Sequence, residues 1–253
     1  MGASDGEFAR GVDATVVLLP GLGADGRLFG AQKRAFPGLR VLERMEPEGR
    51  ESLAAYAARL AERFEEPEGP YILGGSSMGG MVALEMARLL RPSAVVLIGS
   101  ALSGGEVWGW LRAVERAARP LPGGAIEVGR WLTPLGAPLF CSAGRENRGL
   151  FLDMLAGTPT GFIRWASRAV TAWRPETLPV APIHRIHGSR DIIIRPPRES
   201  AGVIIRGAGH LLSLSHAEET NAWLGDIVDG LGAVGRVRPV LPSVAPSGGR
   251  RGP

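Results

Sequence analysis

The sequence predicts an α/β domain with a largely parallel central sheet covered by helices on both faces. Short β-rich runs alternate with longer helical patterns, the rhythm of strand–helix–strand units. Most of those runs are apolar throughout rather than alternating, as strands buried on both sides must be. The chain also has the right scale: 253 residues, 45% hydrophobic and 21% charged, suit one sizeable globular core.

Strands are predicted at Thr15–Leu19, Arg40–Arg44, Tyr71–Leu73, Ala94–Ile98, Ile183–Ile186 and Val203–Arg206. Helices are predicted at Glu51–Glu65, Met78–Leu90 and roughly Glu218–Val228. The first helix carries Leu53, Tyr56, Ala57, Leu60 and Phe64 at helical spacing, which gives it one apolar face. The second is apolar nearly all round and should be buried; Pro92 stops it by pushing the preceding residue out of helical geometry.

Between Ala101 and Val180 the rhythm breaks. No clear strand occurs there, and amphipathic stretches at Val107–Ala118 and Thr160–Trp173 predict a helical cap inserted into a domain spanning residues 14–230. Five of the six tryptophans (Trp108, Trp110, Trp131, Trp165 and Trp173) fall in this stretch. They support two readings equally: an apolar substrate pocket, or packing of the cap onto the core. From Leu231 to Pro253, Gly, Pro and Arg dominate, and a disordered tail is expected.

Charge excludes one class of partner. Four arginines (Arg236, Arg238, Arg250 and Arg251) lie in that tail, which holds no acid; without them basic and acidic residues balance at 25 each. The basicity belongs to the tail, so no nucleic-acid partner is expected. Cys141 is the single cysteine, which excludes an internal disulfide and fits a reducing compartment. Residues 1–13 include Asp5, Glu7 and Asp13 with no apolar core, so no secretory signal is expected. No apolar run reaches membrane-spanning length, and a cytoplasmic location is the expectation.

The chemistry begins at Gly74-Gly75-Ser76-Ser77-Met78-Gly79-Gly80, a G-x-S-x-G pattern centred on Ser77. The pattern alone is weak, but here it follows a strand and opens a helix, the setting an exposed nucleophile requires. Side chains at Gly75 and Gly79 would collide across so sharp a turn. Ser76 is the competing hydroxyl, but a frame centred on it needs glycine at position 78, where Met78 stands. A serine also needs a base. His184 lies inside a strand, His187 ends it as a turn residue, and His216 begins the last helix. His210, in Gly207-Ala208-Gly209-His210, follows the last strand at the carboxyl edge of the sheet, where parallel sheets carry reactive groups. Asp191, in His187-Gly188-Ser189-Arg190-Asp191, follows a strand at the same edge and is the candidate acid. One oxyanion donor should be the Met78 N–H. The second is expected from the loop after the first strand, at Leu22.

The pieces LLPGLGADGRLF, GGSSMGG, HGSRDIIIRP and GAGHLLSLSHAEE, in this order over residues 15–230, resemble the α/β-hydrolase superfamily, in particular its small esterase-like members with a helical cap. The resemblance implies Ser77 as nucleophile, Asp191 and His210 as its partners, Leu22 and Met78 as oxyanion donors, and 101–180 as cap. Pro20 stands where many members carry histidine, and only about a dozen residues precede Thr15, so the leading antiparallel strands are expected to be short or missing.

The expected activity is hydrolysis of a carboxylic ester or thioester of a small molecule with an apolar part, without cofactor or metal. The same three residues also serve acyl transfer, C–C bond hydrolysis and hydroxynitrile cleavage. A rival from another class sits in the first loop. Gly21-Leu22-Gly23-Ala24-Asp25-Gly26 fits G-x-G-x-x-G, with Glu43 at the spacing of a dinucleotide site, as in a nicotinamide-dependent oxidoreductase. That reading leaves Ser77, Asp191 and His210 unexplained. A non-catalytic interaction protein on the same fold is the third reading.

Overall fold

The computed structural model describes residues 14–120 and 144–234. Six strands form one sheet: β1 (Thr15–Leu19), β2 (Arg40–Val41), β3 (Tyr71–Ser76), β4 (Ala94–Ile98), β5 (Ile183–Gly188) and β6 (Val203–Ile205). Their order is β2-β1-β3-β4-β5-β6, and every neighbouring pair is parallel. The central strands β1, β3 and β4 are buried on both sides, and the pleat sorts their side chains into two cores. Val17, Leu19, Leu73, Val95 and Leu97 face one core; Val16, Leu18, Ile72, Val96 and Ile98 face the other.

The first core is covered by α2 (Leu53–Glu62) and α3 (Met78–Met86). The sequence-predicted apolar face of α2 is the one buried, through Leu53, Tyr56, Ala57 and Leu60. Ser52 caps it by accepting from the Ala55 N–H at 3.1 Å, a contact of about 1 kcal/mol. Every residue of α3 is buried. The second core is covered by Leu28 and Phe29 of the short turn before α1 (Gly30–Ala35) and by the long final helix.

The insertion between β4 and β5 contains α4 (Gly109–Ala118), α5 (Arg145–Ala156) and α6 (Thr160–Ala172). The short α7 (Leu212–Ser215) and α8 (Ala217–Val234) end the described chain. Residues 1–13, Trp131, Cys141 and the tail from 235 onward lie outside the described residues, and with them the expectations on leading strands and tail.

Several elements depart from the sequence expectations. β3 runs on through Gly74, Gly75 and Ser76, because these continue the parallel register with Leu18 and Leu19 on one side and Val96–Ile98 on the other. β2 stops at Val41, where the chain leaves the sheet edge and Glu43 turns onto the β1 loop. Periodicity in the sequence marks neither α1 nor α5. α8 continues past Leu231, where composition predicts no packed element, because Ile227, Val228 and Leu231 extend its apolar stripe against the second core.

Candidate active site

Ser77 stands at the turn from β3 into α3 with φ 54° and ψ −121°. It is the one non-glycine residue with positive φ among the described residues, a conformation costing about 1–3 kcal/mol. The surroundings hold it there. Its N–H donates to Ile98 O at 3.0 Å, and its carbonyl accepts from Ser100 Oγ at 2.6 Å. The turn is possible only with glycine on both sides. A Cβ on Gly75 would lie 2.5 Å from Leu19 O and 2.6 Å from the Gly79 carbonyl carbon, and one on Gly79 would meet Pro20 O at 2.6 Å. Ser76, the competing hydroxyl, is the buried last residue of β3 and pairs with Ile98.

The structure brings His210 and Asp191 to this serine. His210 Nε2 lies 3.0 Å from Ser77 Oγ, and His210 Nδ1 lies 2.7 Å from Asp191 Oδ2. A carboxylate accepts only, so Nδ1 carries the hydrogen and Nε2 offers its lone pair to the serine hydroxyl. Asp191 is held in turn: Oδ1 accepts the Ile193 N–H at 2.8 Å and the Ile194 N–H at 3.0 Å. Burial pushes the Asp191 carboxyl up. The adjacent His210 and the hydrogen bonds from His187 and His210 outweigh that burial and hold the group well below the usual carboxylate range.

Three loops at the carboxyl ends of β3, β5 and β6 thus converge on one point. The glycines that permit this are specific: Gly99, with φ +54°, passes so close to His210 that a Cβ there would lie 2.9 Å from its carbonyl. The loop after β1 completes the ring. A Cβ on Gly21 would stand 3.1 Å from Ser77 Cβ, so the glycine lets that loop close on the serine. Among the described residues neither the Leu22 N–H nor the Met78 N–H has a hydrogen-bond acceptor in the protein. Leu22, Ser77, Met78 and His210 all face one cavity of about 410 Å³, at the switch point between β1 and β3 where open sheets bind ligands. Its wall is mostly aliphatic, from Ala24, Val107, Leu111, Ile163 and Ile193, with Glu115, Arg119, Arg164 and Arg168 on its polar side.

No described tryptophan lines this cavity, and Trp165 and Trp173 follow the packing reading. Trp165 packs on Tyr56 at 4.6 Å and donates to Glu51 O, and Trp173 donates to Glu85 Oε1 at 2.6 Å. These rings fasten the insertion to the core, and aliphatic side chains shape the cavity instead.

The remaining histidines separate clearly. His184 is half-buried in β5, and His216 Nδ1 lies 2.9 Å from Ser215 Oγ at the start of α8. His187 is not the turn residue expected from its place beside Gly188. It is completely buried, with Nε2 2.9 Å from Asp191 Oδ2 and 3.2 Å from Ile194 O. The signal was the four-residue step from His187 to Asp191, since a tight turn between them folds the second onto the first. Ser100 and Trp108 were also missed; the Trp108 indole N–H donates to Asp191 O at 3.0 Å.

The G-x-G-x-x-G pattern is accounted for locally. Glu43 Oε1 accepts from the Gly26 N–H at 3.0 Å, while Asp25 caps the short turn Gly26–Phe29 and pairs with Arg27 at 2.7 Å. A carboxylate therefore lies across the amide a phosphate would need. Among the described residues no group of three or more His, Cys, Asp and Glu is placed to hold a metal ion, and no helix is long and apolar enough to cross a membrane.

A parallel sheet with a serine on a strained strand-to-helix turn defines an α/β-hydrolase. Residues 5–223 match the Alpha/beta hydrolase family, and the chain belongs to it. Among solved structures it is similar to a thermophilic esterase from Thermogutta terrifontis (19% identity over 88% of this chain and 92% of that one, TM-score 0.64). It is also similar to an enol-lactonase from Burkholderia xenovorans (17% identity, 87% and 92%, TM-score 0.65) and to MenH from S. aureus (16%, 88% and 96%, TM-score 0.64). At these identities the likeness is one of fold. A stretch of 38 residues is 55% identical to the thioesterase pytI of Aspergillus terreus, spanning 15% of this chain and 12% of that protein.

Proposed function

We propose that the protein hydrolyses a carboxylic ester of a small molecule with an apolar part, through an acyl-enzyme on Ser77. The observation that carries this reading is the unbroken relay Ser77 Oγ–His210–Asp191, at 3.0 and 2.7 Å, opening on an aliphatic cavity. Ser77 Oγ attacks the carbonyl carbon while His210 Nε2 takes its proton. The negative charge that forms on the carbonyl oxygen is met by the Leu22 and Met78 N–H groups, aided by the positive end of α3. His210 returns the proton to the departing alcohol. Water then attacks the acyl group by the same route, releases the acid and restores the serine. Asp191 keeps the hydrogen of His210 on Nδ1 and stabilises the imidazolium.

A thioester is the second substrate form, favoured by the 38-residue match to a thioesterase. Its chemistry is the same with a thiolate as leaving group.

Fluorophosphonate labelling tests the assignment. Label is expected on the wild type, absent on Ser77→Ala and sharply reduced on His210→Ala; an unlabelled folded wild type overturns it. A panel of esters and thioesters with graded acyl length then reads the substrate. Activity confined to small polar acyl groups contradicts the apolar part of the proposal.

A further inference from the structure

Asp191 is held by more groups than a relay needs. An ionised carboxylate offers about four acceptor positions; three take hydrogen bonds here, and His187 Nε2 stands 2.9 Å from Oδ2 beside them. Ile193 and Ile194 amides fill Oδ1; the imidazoles of His210 and His187 share Oδ2. His187 has no exposed surface, and among the described residues its Nδ1 has no hydrogen-bond partner. A hydrogen on Nδ1 would have no acceptor, so the hydrogen sits on Nε2, between Asp191 Oδ2 and Ile194 O.

This closes a ring. Ile194 binds Asp191 Oδ1 through its N–H, and its carbonyl is reached by the same His187 nitrogen that meets Oδ2. Ile194 also lines the substrate cavity. The carboxylate and that stretch of cavity wall therefore share His187 as a contact.

We infer that His187 is a positioning residue: its Nε2–H fixes Asp191 in the plane that aligns His210 on Ser77. The inference rests on the serine relay proposed above. In turnover His210 gains and loses a proton, so its own contact with Oδ2 changes strength. His187 and the two amides are the partners that do not change. Without His187, Oδ2 keeps only the partner that does, and the imidazole loses its constant reference.

The test uses three variants of the full chain. Gln at 187 places an amide N–H near the position of Nε2, Leu fills similar volume without a donor, and Asn carries an amide that stops short. His187→Leu should lower kcat at least tenfold, with KM within twofold, and abolish the low-field proton NMR resonance of the His210–Asp191 hydrogen bond. His187→Gln should recover kcat to within about threefold of wild type and restore that resonance, an effect simple burial would not produce. If the Leu variant does not fold, Gln against Asn makes the same comparison. A Leu variant with kcat within twofold of wild type overturns the inference. So does equal loss in Gln and its comparison variant, or a change confined to KM. Fluorophosphonate labelling of wild type and Ser77→Ala in parallel separates the two readings. Labelling with a flat His187 series removes the inference alone, and no labelling removes both.

Discussion

The indole N–H of Trp108 donates to the main-chain carbonyl of Asp191 at 3.0 Å, across 83 positions in the sequence. It is one stitch of several. Val107 bridges Ile194 antiparallel, the Trp108 N–H donates to Ile193 O at 3.0 Å, and the Arg195 N–H donates to Glu106 O at 2.9 Å. The entry to the inserted helices is thus fastened to the very loop that presents the acid. Cavity wall and the Asp191 carboxylate share a backbone. The Trp108→Phe variant keeps a ring under Arg195 but loses the donor. It should lose about 0.5–1.5 kcal/mol of stability and a few-fold in kcat, as read by melting and steady-state kinetics. An unchanged kcat would show the stitch to be purely structural.

Ser77 pays for its exposure in backbone strain, and glycine would not. Ser77→Gly should be inactive yet more stable than Ser77→Ala by about 1 kcal/mol, because alanine keeps the positive-φ penalty. Denaturant titration of the two variants measures the difference. Equal stabilities would mean that the turn relaxes once the hydroxyl is gone.

Glycines in this chain differ in consequence. Gly79→Ala drives a Cβ into the carbonyls after β1, and loss of soluble folded protein is the expected result. Gly149, within α5, has nothing among the described residues within 4 Å of where a Cβ would stand. Gly149→Ala should raise stability by about 0.5–1 kcal/mol through helix propensity. Melting temperatures of the pair check both directions.

Asp191 supplies a pH signature. Its carboxyl is held below its ordinary value in the folded state, so its contribution to stability is fully present above the unfolded value of about 3.9 and decays as pH falls below it. Asp191→Asn lacks that contribution at every pH. The melting-temperature gap between wild type and Asp191→Asn should therefore be widest near neutrality and shrink below about pH 4. At neutral pH the variant should lose about 10⁴-fold in kcat, since an amide favours the wrong tautomer of His210. A gap that widens in acid would reverse the sign and refute the assignment of the depressed carboxyl.

The aliphatic cavity predicts a length limit. Leu111→Trp, on the α4 wall, should shift the preferred acyl chain toward shorter lengths while leaving the rate on the shortest ester within about threefold. A uniform loss across the chain-length series would mean that Leu111 shapes the relay rather than the pocket.

Local order carried much of this. The apolar runs of β1 and β4 begin and end where expected, and the face of α2 is the one its spacing marks, because both depend on side-chain periodicity over a few residues. Ser77, Asp191 and His210 stand out because sharp turns at strand ends demand glycines, and those glycines are written beside them. Other features depend on partners distant in the chain. β3 extends through two glycines only because β1 and β4 flank it, and Trp165, Trp173 and Trp108 are held by acceptors at Glu51, Glu85 and Asp191. His187 is the sharpest case. Its neighbours in sequence describe a turn, whereas its burial and its two acceptors arise from how β5 and the acid loop pack against the rest of the sheet. Sequence determined which residues stand at the glycine-flanked turns of the sheet's carboxyl edge, since turn chemistry is local; which carboxylate oxygen each imidazole meets was decided by tertiary packing, since hydrogen bonds form between whatever groups the folded sheet brings within about 3 Å.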